Sequence, residues 1–152
     1  MDKLQQIRLP IVKEFEEFKS LFDASLQSSN PLLSEVLTYI KQRNGKMMRP
    51  ILTLLMAKLF GEINYSALHA ALSLELLHTA SLVHDDVVDE SDKRRGQSSV
   101  NAIYNNKVSV LVGDYMLATS LKHSAMTGSI RIVDLVARLG QNLAPQNAAG
   151  CL

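Results

Sequence analysis

The residues best equipped for chemistry lie in one fifteen-residue stretch, LVHDDVVDESDKRRG, at positions 82 to 96. An apolar run ends in Asp85, Asp86 and Asp89, and Lys93, Arg94 and Arg95 follow directly. On a helix each residue turns by about 100°. Asp85 and Asp89 therefore stack one turn apart, Asp86 lies on their flank, and His78 falls within roughly 20° of the same line. Carboxylates stacked in this way repel unless a cation lies between them, and at a helix C-terminus they also oppose the macrodipole. Oxygen-only ligation suits a hard ion, and Mg²⁺ typically takes one or two carboxylates together with substrate phosphates and water. Asp85, Asp86 and Asp89 are thus candidate Mg²⁺ ligands for a diphosphate-bearing substrate. A solvated acidic helix end is the plainer reading of the same three residues.

The bases fit that substrate. Arg94 and Arg95 carry planar guanidiniums suited to bidentate phosphate contacts. Their plainer role is to neutralise the aspartates across a surface loop. A second basic pair tilts the choice: GKMMRP places Lys46 and Arg49 three residues apart around a helix start, beside free backbone N–H groups that favour anions.

Helices must position these groups, because the apolar periodicity is helical nearly throughout. Leu32, Leu33, Val36, Leu37 and Ile40 form one stripe, begun by Asn30-Pro31 and closed by Asn44-Gly45. Pro50 sits in the first turn of the next run, ILTLLMAKLF, which Gly61 follows. A long central helix is expected from about Ser66 to Asp89, apolar on several sides. GQSSV, at 96 to 100, reads as a loop with serine caps, KVSVLVGDYMLATSLKHSAM as a mostly buried helix, and SIRIVDLVARLGQNLA as an amphipathic one. Only VSVLV could pass for a strand. The expected fold is an all-α helical bundle. Its last segment, APQNAAGCL, breaks helical periodicity at Pro145 and reads as a non-native or cut tail over residues 144–152.

Composition bounds the alternatives. The 152 residues make one domain, 47% apolar and 20% charged. A net charge of +1 argues against a general nucleic-acid or membrane-surface role. A lone Cys151 excludes an internal disulfide, and no run approaches the ~20 apolar residues of a membrane span. The N-terminus lacks a secretory pattern, so the Asn64 sequon reads as chance and a cytoplasmic location as the default.

Taken in order and spacing, GKMMRP, LELLHTASLVHDDVVDESDKRRG and LVGDYMLA resemble the trans-type polyprenyl diphosphate synthases over roughly residues 20 to 143. The resemblance covers the N-terminal half of that family's helical fold, and implies a bundle of the isoprenoid synthase type truncated to its N-terminal helices. It implies condensation of an allylic diphosphate with isopentenyl diphosphate to a trans-polyprenyl diphosphate, with release of diphosphate. By resemblance Asp85, Asp86 and Asp89 match the first aspartate-rich motif, which binds Mg²⁺, and Arg94 the arginine that holds the allylic diphosphate. Lys46, Arg49, His78 and Arg95 match the pocket for isopentenyl diphosphate. Ala80 and Ser81 occupy the positions that set product length, and their small size implies a long-chain product. The family is commonly homodimeric.

The family's second aspartate-rich motif has no counterpart here, so the resemblance also implies that this chain is inactive alone. Two rival readings remain. One is a non-catalytic regulatory or interaction subunit of a prenyl synthase. The other is a His-Asp metallophosphohydrolase built on His84, Asp85 and Asp114, which leaves the two basic motifs without a role. Outside the site, His69 and His123 read as packed or helix-surface histidines, Asp114 as a satisfied polar group inside the bundle, and the six methionines as core fillers.

Overall fold

The computed structural model describes residues 1–43 and 45–148, with side chains described through residue 144. Asn44, and with it half of the expected Asn44-Gly45 stop, lies outside the described residues, as do Cys151 and the end of the 144–152 tail.

Helices dominate, as the periodicity requires. Two N-terminal helices, α1 (Lys3–Arg8) and α2 (Val12–Ser25), are joined by a 3₁₀ turn; α3 (Pro31–Gln42), α4 (Met48–Leu59) and α5 (Tyr65–Val88) follow. After a short hairpin come α6 (Val100–Tyr104), α7 (Asn106–Met126) and α8 (Ile130–Ala148). The starts are chemically specified. Asn30 accepts a hydrogen bond from the Leu33 N–H, with Pro31 at the first helical position, and Asn64, Ser99 and Asn105 cap α5, α6 and α7 in the same way. Asn64 of the nominal sequon is thus occupied as a helix cap.

α5 is the centre of the bundle. Its most extensive neighbour is α7, and α4, α2 and α8 pack on its other sides. Phe15, Phe18 and Phe22 of α2, Leu54 of α4 and Leu72 and Leu76 of α5 are buried together with Met116 of α7. The α5–α7 seam itself is partly polar. Ser73 and Ser120 exchange hydrogen bonds onto each other's carbonyls at 2.9 and 2.7 Å. One turn away, His69 and His123 meet Nδ1 to Nδ1 at 2.8 Å, both buried. The serine hydroxyls and the two Nδ1 atoms satisfy one another inside the seam, whereas His69 Nε2 is buried without a partner among the described residues.

Three expectations change. The segment after α5 is not simply a loop: β1 (Lys93–Arg94) pairs antiparallel with β2 (Gln97–Ser98). Arg95 and Gly96 form its two-residue turn with φ of 52° and 78°, the left-handed pair that matches the twist of a tight hairpin. The ribbon is too short for any alternating pattern to announce it. Pro145 does not end the last helix, because α8 continues to Ala148 and crosses the expected 143/144 boundary. A proline removes one N–H from the ladder and crowds one turn, and the remaining bonds carry the helix on. Asp114 is 61% exposed on α7 and not inside the bundle. VSVLV lies wholly within α7.

Candidate functional site

The site residues come from three elements: the second half of α5, the hairpin after it, and the segment leading into α4. The apolar faces of α5 are consumed by α7, α4 and α2, which leaves its polar residues at the open C-terminal end. The hairpin is held against that end by side chains that bridge back to it. Ser99 Oγ donates to the Ser91 carbonyl at 2.7 Å, Asn101 Nδ2 donates to the same carbonyl at 3.0 Å, and Tyr39 of α3 donates to the Ser98 carbonyl at 2.6 Å.

Asp86 and Arg94 are thereby brought into direct contact. Arg94 Nη2 donates to Asp86 Oδ1 at 2.8 Å, and Nε lies 3.1 Å from both carboxylate oxygens. The Asp86 side chain is 5% exposed and that of Arg94 30%. Arg94 thus neutralises Asp86, the plainer of its two expected roles. The spacing alone concealed this, because the hairpin reverses the chain and returns Arg94 to the helix end.

Asp85 has a different environment. Burial pushes its carboxyl up, and repulsion from Asp89 adds to the effect. Its Oδ1 is buried without a hydrogen-bond partner among the described residues. An orphaned carboxylate oxygen beside a second carboxylate is the donor set a hard cation would satisfy. Asp89 caps α5 and is exposed. Among the described residues no three His, Cys, Asp or Glu side chains converge as a ready metal cage, since Asp86 is turned to Arg94.

Lys46, Arg49, His78 and Arg95 do come together, around one cavity of about 630 Å³. Lys46 precedes α4, and Met47, in a left-handed conformation (φ 56°), turns the chain into the helix so that Arg49 sits in its first turn. The Arg95 guanidinium lies against Gly45, whose missing side chain leaves the space it occupies. His78 is held neutral: burial, then Arg49, Arg95 and Arg94, lower it to about 4.

A second, smaller cavity lies on the other side of Gly45, Glu75 and Arg95, and reaches Arg43, Thr79, Asp86 and Arg94. Arg43 also donates to the Arg94 carbonyl at 3.4 Å and stacks on Tyr39. Glu75 and Arg43 were not singled out by the spacing of motifs. For Glu75 a signal exists, a lone carboxylate in the apolar run LSLELLHTA; Arg43 has none beyond being a charged residue at a helix end.

The two positions associated with product length differ. Ala80 is fully buried, whereas Ser81 is part-exposed, one turn before Asp85, and folds its hydroxyl onto the His78 carbonyl at 2.7 Å. His84 points away from the acidic end: Nε2 lies 3.1 Å from the Val110 carbonyl and 3.5 Å from Asp114. The ring occupies the space a side chain at Gly113 would need. His69 and His123 belong to the α5–α7 seam, so the histidines of the metallophosphohydrolase reading are scattered.

A helical bundle with a basic cavity beside an acidic helix end defines the class, the isoprenoid synthase fold. The polyprenyl synthetase family matches residues 30–146. The all-trans-nonaprenyl-diphosphate synthase (geranyl-diphosphate specific) of Rhodobacter capsulatus is 42% identical over 119 residues, covering 78% of this chain and 37% of that protein. A geranylgeranyl pyrophosphate synthase of Bacteroides thetaiotaomicron superposes with a TM-score of 0.74 at 53% identity, over 95% of this chain and 41% of that one. A polyprenyl synthase of Caulobacter crescentus, complexed with calcium and isoprenyl diphosphate, gives a TM-score of 0.85 at 29% identity, over 91% and 42%. The chain belongs to the polyprenyl synthetase family. It spans about two fifths of the length of these relatives.

Proposed function

We propose that this chain is the N-terminal part of a cytoplasmic, homodimeric prenyltransferase that joins an allylic diphosphate to isopentenyl diphosphate, making a long-chain trans-polyprenyl diphosphate. The observation that carries the reading is the shared wall of Gly45, Glu75 and Arg95, which sets a basic cavity beside the acidic end of α5. In the reaction the allylic C–O bond breaks, the isopentenyl double bond attacks the resulting cation, and a proton is lost. Lys46, Arg49 and Arg95 hold the isopentenyl diphosphate, and neutral His78 hydrogen-bonds it without adding charge. Arg94, oriented by Asp86, presents its remaining N–H groups to the allylic diphosphate. Asp85 and Asp89 would hold Mg²⁺, which when bound supplies positive charge to the departing diphosphate. Apolar Leu82 and Val83 wall the smaller cavity and keep water from the cation.

Long product length is supported by the small Ala80 and Ser81 and by the nonaprenyl-diphosphate synthase relative; the geranylgeranyl relative stands for the shorter outcome. Exposed Leu111 and Leu121 on α7 offer apolar surface for a second copy. The test is a chimera in which residues 1–143 replace the matching part of the Rhodobacter capsulatus enzyme. Incorporation of labelled isopentenyl diphosphate, lost by at least a hundredfold in Asp85→Ala, is the expected result. A soluble, folded chimera whose turnover ignored that substitution would overturn the reading.

A further inference from the structure

Glu75 lines both cavities, and no step of the proposed condensation uses it. It is 8% exposed, and its Oε2 is buried without a hydrogen-bond partner among the described residues. Leaving such an oxygen unpaired costs free energy, so a carboxyl kept there points to a second state in which Oε2 is satisfied. The charged and titratable groups that line the two cavities with it come from four elements. Lys46 and Arg49 face it from the start of α4, Arg95 and Arg94 from the hairpin, Arg43 from the end of α3, and His78 and Asp86 from α5 itself.

In the empty cavity a carboxylate at this point offsets the mutual repulsion of Lys46, Arg49 and Arg95. A diphosphate entering the same space reverses the local sign, and a second anion against it is unfavourable. Resting on the diphosphate reading of the basic cavity, we propose that Glu75 is the proton-linked partner of the bound anion: ionised when the cavity is empty, it takes one proton from solvent on binding and donates the new O–H to a phosphate oxygen. One O–H bond forms, the buffer gives up the proton, and no other bond changes.

The balance of forces on Glu75 agrees. Burial outweighs the Arg49 and Arg95 guanidiniums and pushes its carboxyl up to about 6, so little further change is needed to protonate it at neutral pH. His78, the rival acceptor in the cavity, is lowered to about 4 and needs a far larger change.

The experiment is calorimetric titration of the 152-residue chain with inorganic pyrophosphate at pH 7, with EDTA present so that no divalent ion bridges to the aspartates. Two buffers of different ionisation enthalpy give the number of protons taken up. The wild-type chain is expected to take up roughly one proton more than Glu75→Gln, a difference in which the ligand's own titration cancels. A measurement on the wild-type chain alone guards against a misfolded variant: infrared difference spectra with ¹³C-carboxyl glutamate should gain a protonated-carboxyl band on binding. Equal proton counts in the two proteins with binding intact, or no new labelled band, would overturn Glu75's role and leave the diphosphate site standing. Uptake kept by Glu75→Gln but lost by His78→Asn would assign the proton to His78 and overturn it equally. If pyrophosphate bound neither protein, the diphosphate reading itself would fail, and this inference with it.

Discussion

Arg94 reaches back across the hairpin and closes on the buried carboxylate of Asp86, with Nη2–Oδ1 at 2.8 Å and Nε–Oδ1 and Nε–Oδ2 both at 3.1 Å. Removing one partner of such a pair strands the other, so Arg94→Ala is expected to cost about 3 kcal/mol. For a domain of this size that lowers the melting temperature by roughly 6–12 °C, read by circular dichroism. Asp86→Asn combined with Arg94→Gln should recover part of the loss, because no buried charge is left alone. Equal melting of Arg94→Ala and wild type would show the pair to be ornamental.

Asp85 is raised by burial first and by Asp89 next, so its charged form is disfavoured in the folded chain. Its contribution to stability is therefore present below the ordinary carboxylate range and is lost as pH rises through the elevated value. A divalent cation should reverse this. At a Mg²⁺ concentration tenfold above its dissociation constant, mass action supplies about 1.4 kcal/mol, seen as a higher melting temperature at pH 7. Asp85→Asn should melt higher than wild type without Mg²⁺ and gain nothing from adding it.

Three histidines are held neutral: His69, mainly by burial, and His78 and His123, each lowered to about 4. Depressed values in the folded state mean stability that is present above about 6.5 and lost as pH falls toward 4. The unfolded chain takes up protons first. For buried His123 the loss between pH 7 and pH 5 is roughly 1–2 kcal/mol, and urea unfolding at the two pH values measures it. His123→Gln, which cannot titrate, should flatten the dependence by about that amount.

A side chain at Gly113 would collide with the Nε2 edge of the His84 ring, which sits beside the Val110 carbonyl of α7. Alanine is the better helix former, yet overpacking outweighs that preference at a close contact. Gly113→Ala should therefore destabilise by about 1 kcal/mol, and adding His84→Ala should restore most of it. A double-mutant cycle with no coupling would refute the contact.

Ser81 and Ala80 should separate on substitution. In the chimera, Ser81→Phe is expected to shorten the product at retained folding, because Ser81 is part-exposed on the face of Asp85. Ala80→Phe, at a fully buried position, is expected to cost about 1–3 kcal/mol in stability before chain length can be read. Product chromatography and a melting curve decide between the two.

Much of the molecule was legible in the chain itself. Helical periodicity located α3, α5, α7 and α8 because an amphipathic or all-apolar 3.6-residue pattern leaves few alternatives, and the Asn30-Pro31 start is local hydrogen-bond chemistry. Spacing pairs Lys46 with Arg49 at one helix start, but it is the resemblance to the polyprenyl diphosphate synthases that gathers Lys46, Arg49, His78 and Arg95 into one pocket. Tertiary structure decided the rest. Whether Arg94 faces a ligand or Asp86 depends on a six-residue hairpin whose turn, Arg95-Gly96, has no alternating strands to announce it. Glu75 became a cavity wall only when α4 and the hairpin closed over α5, and its pKa is set by that burial. Spacing along one helix fixes which groups share a face. Burial and ion pairing depend on what other elements bring to that face, and only the folded chain contains that information.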